Sequence, residues 1–150
     1  MKVEEIMNRK VLTVRSDESL AKVAALICLN NISGVPVVDE ENYLVGIVSE
    51  KDILRAMYPS YTEFYDDPVH SRDFEDMETR YPNVVHLKVE EVMTSKVSTA
   101  SPHDPVLKAA STMILKKVRR LPVVEEGELV GIISQGDIHQ AIFKAYLSFP

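Results

Sequence analysis

The chain has no tryptophan, one cysteine, five glycines and four histidines among its 150 residues. Each scarcity excludes something. A single cysteine permits no intramolecular disulfide, and Cys28, inside the apolar run Ala24 to Leu29, reads as a small buried hydrophobe rather than a reactive thiol. The histidines stand at 70, 86, 103 and 139, and no His or Cys pair has metal-ligand spacing, so no metal site is expected. Gly-x-Gly-x-x-Gly and Gly-x-x-x-x-Gly-Lys-[Ser/Thr] are both missing, which removes the usual phosphate-cradling loops. No nucleophile has a neighbouring base, and no catalytic residue is assigned. No apolar stretch approaches the roughly 18 residues of a membrane span, and the opening Met1-Lys2-Val3-Glu4-Glu5 lacks the apolar segment of a secretory leader. A cytoplasmic protein with no membrane partner is expected. Basic residues are in deficit, 17 against 23 acidic, and a net charge of −6 repels phosphate backbones, so nucleic acid could bind only through a local basic patch.

What is present is a duplication. Val3-Glu4-Glu5-Ile6-Met7-x-x-Lys10-Val11-x-Thr13 returns as Val89-Glu90-Glu91-Val92-Met93-x-x-Lys96-Val97-x-Thr99, and Pro36-Val37-Val38 returns as Pro122-Val123-Val124. After a one-residue deletion in the acidic turn, Leu44-Val45-Gly46-Ile47-Val48-Ser49-x-x-Asp52-Ile53 becomes Leu129-Val130-Gly131-Ile132-Ile133-Ser134-x-x-Asp137-Ile138. The chain therefore divides into a first repeat over 1–58, a connector over 59–86 and a second repeat over 87–150. At roughly 55 residues one repeat is at the lower limit for an independent core, so the two should pack together.

Each repeat reads as β-α-β-β-α, an α+β fold. Residues 11–14 form a β-branched run, and Asp17-Glu18-Ser19 signals a helix start. The helix over 20–30 is apolar around nearly its whole circumference, which predicts packing on more than one side. In the second repeat Asp104-Pro105 opens the matching helix with Pro at its first position. Residues 35–38 and 43–48 are strands of a hairpin about an acidic turn, and a last helix starts near Ser49 and stops before Pro59. In the connector Tyr58, Tyr61, Phe64, Tyr65, Phe74 and Tyr81 alternate with Glu63, Asp66, Asp67, Asp73, Glu75, Asp76 and Glu78; the aromatics are expected over the core and the acids in water. Near the C-terminus Ile138, Ala141, Ile142, Ala145 and Tyr146 make one helical stripe, with Phe149 beyond, which suits a homodimer contact.

Both repeats keep Gly-Ile-[Val/Ile]-Ser-x-x-Asp where a strand turns into a helix. Two readings are open. The free N–H groups of a helix start favour an anion, and an Asp can accept hydrogen bonds from vicinal hydroxyls such as those of ribose. Alternatively, Ser49 with Asp52, and Ser134 with Asp137, form capping boxes that serve the helix alone.

These motifs, in this order and twice over, resemble the CBS domain (named for cystathionine β-synthase), and the pair resembles a Bateman module. The resemblance implies two β-α-β-β-α subdomains packed through their sheets about a pseudo-two-fold axis, with two clefts that hold adenosine-containing ligands: AMP, ADP, ATP or S-adenosylmethionine. It implies a regulatory ligand, no catalysis, a homodimer and a regulated protein partner. By position, it assigns one cleft to Met7, Lys10, Leu12, Ile32, Ser33, Ile132, Ser134 and Asp137. The other takes Ile47, Ser49, Lys51, Asp52, Met93, Lys96, Ser98, Val118, Arg119 and Arg120. Arg119 and Arg120 face Ser33 and Gly34 in the repeat alignment, so the cleft holding them, paired here with Asp52, is expected to prefer more phosphorylated ligands. The competing expectation is a dimeric interaction scaffold whose clefts are vestigial or empty.

Overall fold

A computed structural model describes residues 1–59, 65, 66, 68 and 73–147. The chain forms two compact units, and neither is simply one repeat. One comprises Met1–Val11, Glu40–Leu44 and Lys96–Pro150; the other comprises Leu12–Asp39 and Val45–Ser95. Each unit is the body of one repeat together with the opening arm of the other.

In the first unit the arm carries α1 (Val3–Ile6), and the body carries α6 (Val106–Lys116), β3 (Arg120–Glu125), β4 (Glu128–Ser134) and α7 (Gln135–Tyr146). Strands β3 and β4 pair antiparallel about the two-residue turn Glu126-Gly127, both with positive φ (51° and 85°), the backbone that a tight right-twisted hairpin requires. The arm runs beside the start of α6: Val3 N–H donates to Asp104 C=O at 2.9 Å, and Val106 N–H to Met1 C=O at 3.1 Å. Its apolar residues complete the core, where Val3 and Met7 pack with Met113, Leu121, Val123, Ile133 and Ile138. His103 also ties arm to body, with Nε2 2.9 Å from Glu125 and Nδ1 3.9 Å from Glu4. The tip of the first hairpin joins this unit: Leu44 N–H donates to Gly127 C=O at 3.1 Å and Leu129 N–H to Asn42 C=O at 3.0 Å.

The second unit holds α2 (Leu20–Asn30), β1 (Gly34–Val38), β2 (Leu44–Ser49, from Val45 onward), α3 (Glu50–Ala56), α4 (Phe74–Glu78), α5 (Tyr81–Val84) and a 3₁₀ turn at Val89–Glu91. The arm and body meet here in the same way. Leu20 and Ala21 N–H donate to the carbonyls of Leu87 and Val85 at 2.9 Å, and Val89 N–H donates to Glu18 C=O at 2.8 Å. The first two of these bonds satisfy donors that the first turn of α2 leaves open, alongside the Ser19 side-chain cap on Ala21. Val84 and Val89 are buried with Val14, Leu20, Val23, Ile27, Val35, Val37, Val48 and Ile53.

Several expectations are corrected. The run 11–14 contributes a single bridge, Val14 to Val37, because only Val14 reaches the edge of β1; Ala100 to Val123 is its counterpart. Pro105 is the N-cap of α6 rather than its first helical residue, since its ψ of 142° is extended. Helix α2 buries one stripe, Leu20, Val23 and Ile27, and leaves Leu29 83% exposed. Cys28 shares that outer face and is exposed, not buried. In the connector the core positions are taken by Met77 and Val84, while Tyr58, Tyr65, Phe74 and Tyr81 are exposed. Asp73, Glu75, Asp76 and Glu78 face water as expected. Tyr61, Glu63, Phe64, Asp67, His70 and Phe149 lie outside the described residues.

Candidate functional site

Each hairpin delivers its second strand into a helix at a serine. At the β2–α3 junction Ser49 N–H donates to Asp52 Oδ2 at 2.8 Å, the Ser49 hydroxyl donates to the same oxygen at 3.0 Å, and Asp52 N–H donates to Ser49 Oγ at 3.4 Å. At the β4–α7 junction Ser134 N–H donates to Asp137 Oδ2 at 3.0 Å and Asp137 N–H to Ser134 Oγ at 3.0 Å. Both are capping boxes. In both, Oδ2 serves the box and Oδ1 does not. Oδ1 of Asp52 stands 3.9 Å from Arg55 Nη1, and the residue is buried, the one charged residue so placed among those described. Asp137 is half-buried. Capping therefore draws on one oxygen of each carboxylate.

A second feature of the junctions is a close approach at glycine. A Cβ on Gly131 would lie 2.7 Å from Met7 Sδ and 3.0 Å from Asn8 C=O; one on Gly46 would lie 2.8 Å from Met93 Sδ and 2.9 Å from Thr94 C=O. The arms then pair with the strands by reciprocal backbone bonds of 2.8 and 2.9 Å, Asn8 with Ile132, and Thr94 with Ile47 at 2.9 Å in both directions. The repeated Met and the repeated Gly are thus packing partners. Met7 is buried in the core, and Met93 is half-buried.

The units sort the candidate residues. Met7, Lys10, Ile132, Ser134 and Asp137 of the first assigned cleft fall in one unit, and Leu12, Ile32 and Ser33 in the other. Of the second, Ile47, Ser49, Lys51, Asp52 and Met93 fall together, whereas Lys96, Ser98, Val118, Arg119 and Arg120 belong to the unit of Ser134. Two backbone bonds fix the sorting locally. Gln135 N–H donates to Arg119 C=O at 3.0 Å, and Glu50 N–H donates to Ser33 C=O at 2.9 Å. Gln135 Nε2 adds a bond to Val118 C=O at 3.3 Å. The basic pair therefore flanks the Ser134–Asp137 box, in the unit that also holds Lys10. A signal for this was legible: an antiparallel hairpin with a two-residue turn sets the start of β3 beside the end of β4, and Arg120 pairs with Ser134. Asn8 and Thr94, whose backbones seat the arms, were missed because no side-chain chemistry marks them.

Among the described residues no group of three or more His, Cys, Asp and Glu could hold a metal ion, and no helix is long and apolar enough to cross a membrane. Paired α+β hairpin modules, each ending in a Ser-x-x-Asp box and completed by the other's arm, define a tandem-repeat class of protein. The chain belongs to the CBS domain family, whose model matches residues 3–59 and again 89–144. It is 34% identical, over 95% of its length, to an uncharacterized protein of Methanocaldococcus jannaschii, 91% of which is covered. It is similar in structure to CBSX2 in complex with AMP, with a TM-score of 0.73, 25% identity and coverage of 96% of this chain and 97% of that one. It is also similar to the CBS domain pair of protein MJ0100 in complex with 5′-methylthioadenosine and S-adenosyl-L-methionine, with a TM-score of 0.69, 25% identity and coverage of 97% and 98%. Other curated relatives are longer, and the chain spans 40% of one and 24% of another.

Proposed function

We propose that the chain is a regulatory module that binds an adenosine-containing ligand, AMP, ADP, ATP or S-adenosylmethionine, at its Ser-x-x-Asp junctions and signals occupancy to a partner protein, without catalysis. The observation that carries this reading is that both capping boxes leave Oδ1 of their aspartate outside the box. A ribose diol needs such an acceptor. The ligands of CBSX2 and MJ0100 support the adenosine class. The strand residues Ile47 and Ile132, both half-buried, supply apolar surface for a purine. The roles of Leu12, Ile32, Ser33, Lys96 and Ser98 rest on the family resemblance alone.

One assignment is proposed differently from the expectation by position. Arg119 and Arg120, expected with Asp52, are proposed as phosphate contacts for the Ser134–Asp137 junction, with Lys10 in the same unit; Lys51 remains with Asp52. Guanidinium groups pair bidentately with phosphate, so this junction is the one that favours ADP and ATP. A second reading is a dimeric scaffold with vestigial sites, favoured by the fact that the caps alone account for Ser49, Asp52, Ser134 and Asp137. Both readings include a homodimer. Calorimetric titration separates them. AMP or ATP should bind at about micromolar Kd, near −8 kcal/mol, and guanosine nucleotides roughly tenfold more weakly. Absence of heat and of thermal shift with every adenosine compound would establish the scaffold.

A further inference from the structure

His103 stands on the loop before α6, where the arm of its unit meets the body, and its two ring nitrogens face two different elements. Nε2 lies 2.9 Å from Oε1 of Glu125 at the end of β3, and Nδ1 lies 3.9 Å from Oε2 of Glu4 in α1. Both neighbours are carboxylates. A neutral imidazole carries one N–H and one lone pair, so in either tautomer one ring nitrogen turns a lone pair toward a negative oxygen. Only the imidazolium presents a proton to both. Imidazole is also the side chain whose charge ordinarily changes between pH 5 and 8. The other polar groups around the loop have partners of their own. His103 N–H donates to Ser101 Oγ at 3.3 Å, and Asp104 accepts from Ser101 N–H at 3.0 Å and from Lys108 Nζ at 3.3 Å. On the arm, the Glu5 carboxylate accepts from Lys2 N–H, and Arg9 Nη2 donates to Glu4 C=O at 3.4 Å.

The other unit has no such ring. The repeat alignment puts Asp17 at the position of His103, Glu90 at that of Glu4 and Asp39 at that of Glu125, all within the second unit. Ionised carboxylates have no proton to donate, so these three cannot bridge one another. The backbone attachment of the two arms is nonetheless alike. Val3 N–H donates to Asp104 C=O at 2.9 Å and Asn8 N–H to Ile132 C=O at 2.8 Å; in the second unit Val89 N–H donates to Glu18 C=O at 2.8 Å and Thr94 N–H to Ile47 C=O at 2.9 Å. We propose that protonation of His103 closes a side-chain clasp between arm and body in the first unit alone, so that acid seats this arm more firmly and alkali loosens it. The His103 side chain is 60% exposed, which lets it exchange protons with water in the folded state and keeps the clasp weak and salt-sensitive. The clasp requires no ligand, and its failure would leave the adenosine reading untouched.

Amide hydrogen exchange of the full chain, read residue by residue by NMR and corrected for the intrinsic pH dependence of exchange, tests the clasp with the second arm as internal control. From about pH 7.5 to about pH 5.5, protection of Val3 and Asn8 should rise about two- to fivefold relative to Val89 and Thr94. High salt should shrink the rise. His103→Gln should abolish it, and so should Glu4→Gln, which keeps the ring and its Glu125 contact but removes the charge on the arm. Neither side chain belongs to the buried core. An unchanged ratio in the wild type, or a rise that survives in either variant, would overturn the proposal.

Discussion

Gly131 and Gly136 are five residues apart and should respond differently to alanine. At Gly131 a methyl would lie 2.7 Å from Met7 Sδ and 3.0 Å from a backbone carbonyl, and the carbonyl is held by the Asn8–Ile132 bonds. Gly131→Ala should therefore cost about 1–3 kcal/mol by overpacking. Gly136 lies in the first turn of α7 with only Ser134 Oγ nearby, at 3.8 Å, so Gly136→Ala should be neutral or stabilising by up to about 1 kcal/mol. Urea midpoints decide, and equal shifts at the two sites would contradict the close approach. A second contrast concerns ligand contacts. Arg119→Ala should weaken ATP by about 1.5–3 kcal/mol while leaving adenosine nearly unchanged, and Asp137→Asn should weaken both. Titration at fixed ionic strength tests this; equal losses of adenosine and ATP with Arg119→Ala would mean that the arginine acts on packing.

At the scale of the element, α2 shows how a helix start gains a pH dependence. Glu18 is held below the ordinary glutamate range chiefly by the hydrogen bond from Lys22, 2.9 Å away; burial opposes this, and the Arg15 backbone N–H assists. A carboxyl lowered in the fold contributes stability that is fully present above its unfolded pKa, about 4.3. That contribution disappears as pH falls through the lower folded value. Glu18→Gln should lower stability modestly at neutral pH, change little in acid below the folded value and so flatten this part of the curve, as thermal melts from neutral to acid pH would show; an unchanged acid limb would remove the assignment. The hairpins carry the other lesson at this scale. The Glu126-Gly127 turn fixes the register of β3 against β4 and so puts Arg120 opposite Ser134. Strand, turn and box were all legible in the repeat pattern, and hairpin register sets the start of β3 beside the box of its own repeat.

For the whole molecule, the exchanged arms make each unit depend on both repeats. The core of one unit combines Val3 and Met7 with Leu121, Val123 and Ile133; the core of the other combines Leu20, Val35 and Val48 with Val84 and Val89. Fragments 1–86 and 87–150, produced separately, should each lack a cooperative thermal transition, because each lacks an arm that its body needs. Mixed in equal amounts they should recover the circular dichroism and the melt of the intact chain. A cooperative melt from either fragment alone would show that the body of a repeat is self-sufficient and that the arms are accessory.

The duplicated motifs determined the family, the order of elements and the two Ser-x-x-Asp boxes, because these depend on residue type and on spacing within one repeat. The tertiary structure decided which arm completes which body, since the arms of the two repeats carry the same Val-Glu-Glu-x-Met motif and nothing local distinguishes a self-pairing from an exchange. It decided that Met7 and Met93 pack against Gly131 and Gly46. It decided too that Cys28 faces outward, because a helix apolar around nearly its whole circumference leaves only a weak contrast between the face that is buried and the one that is not.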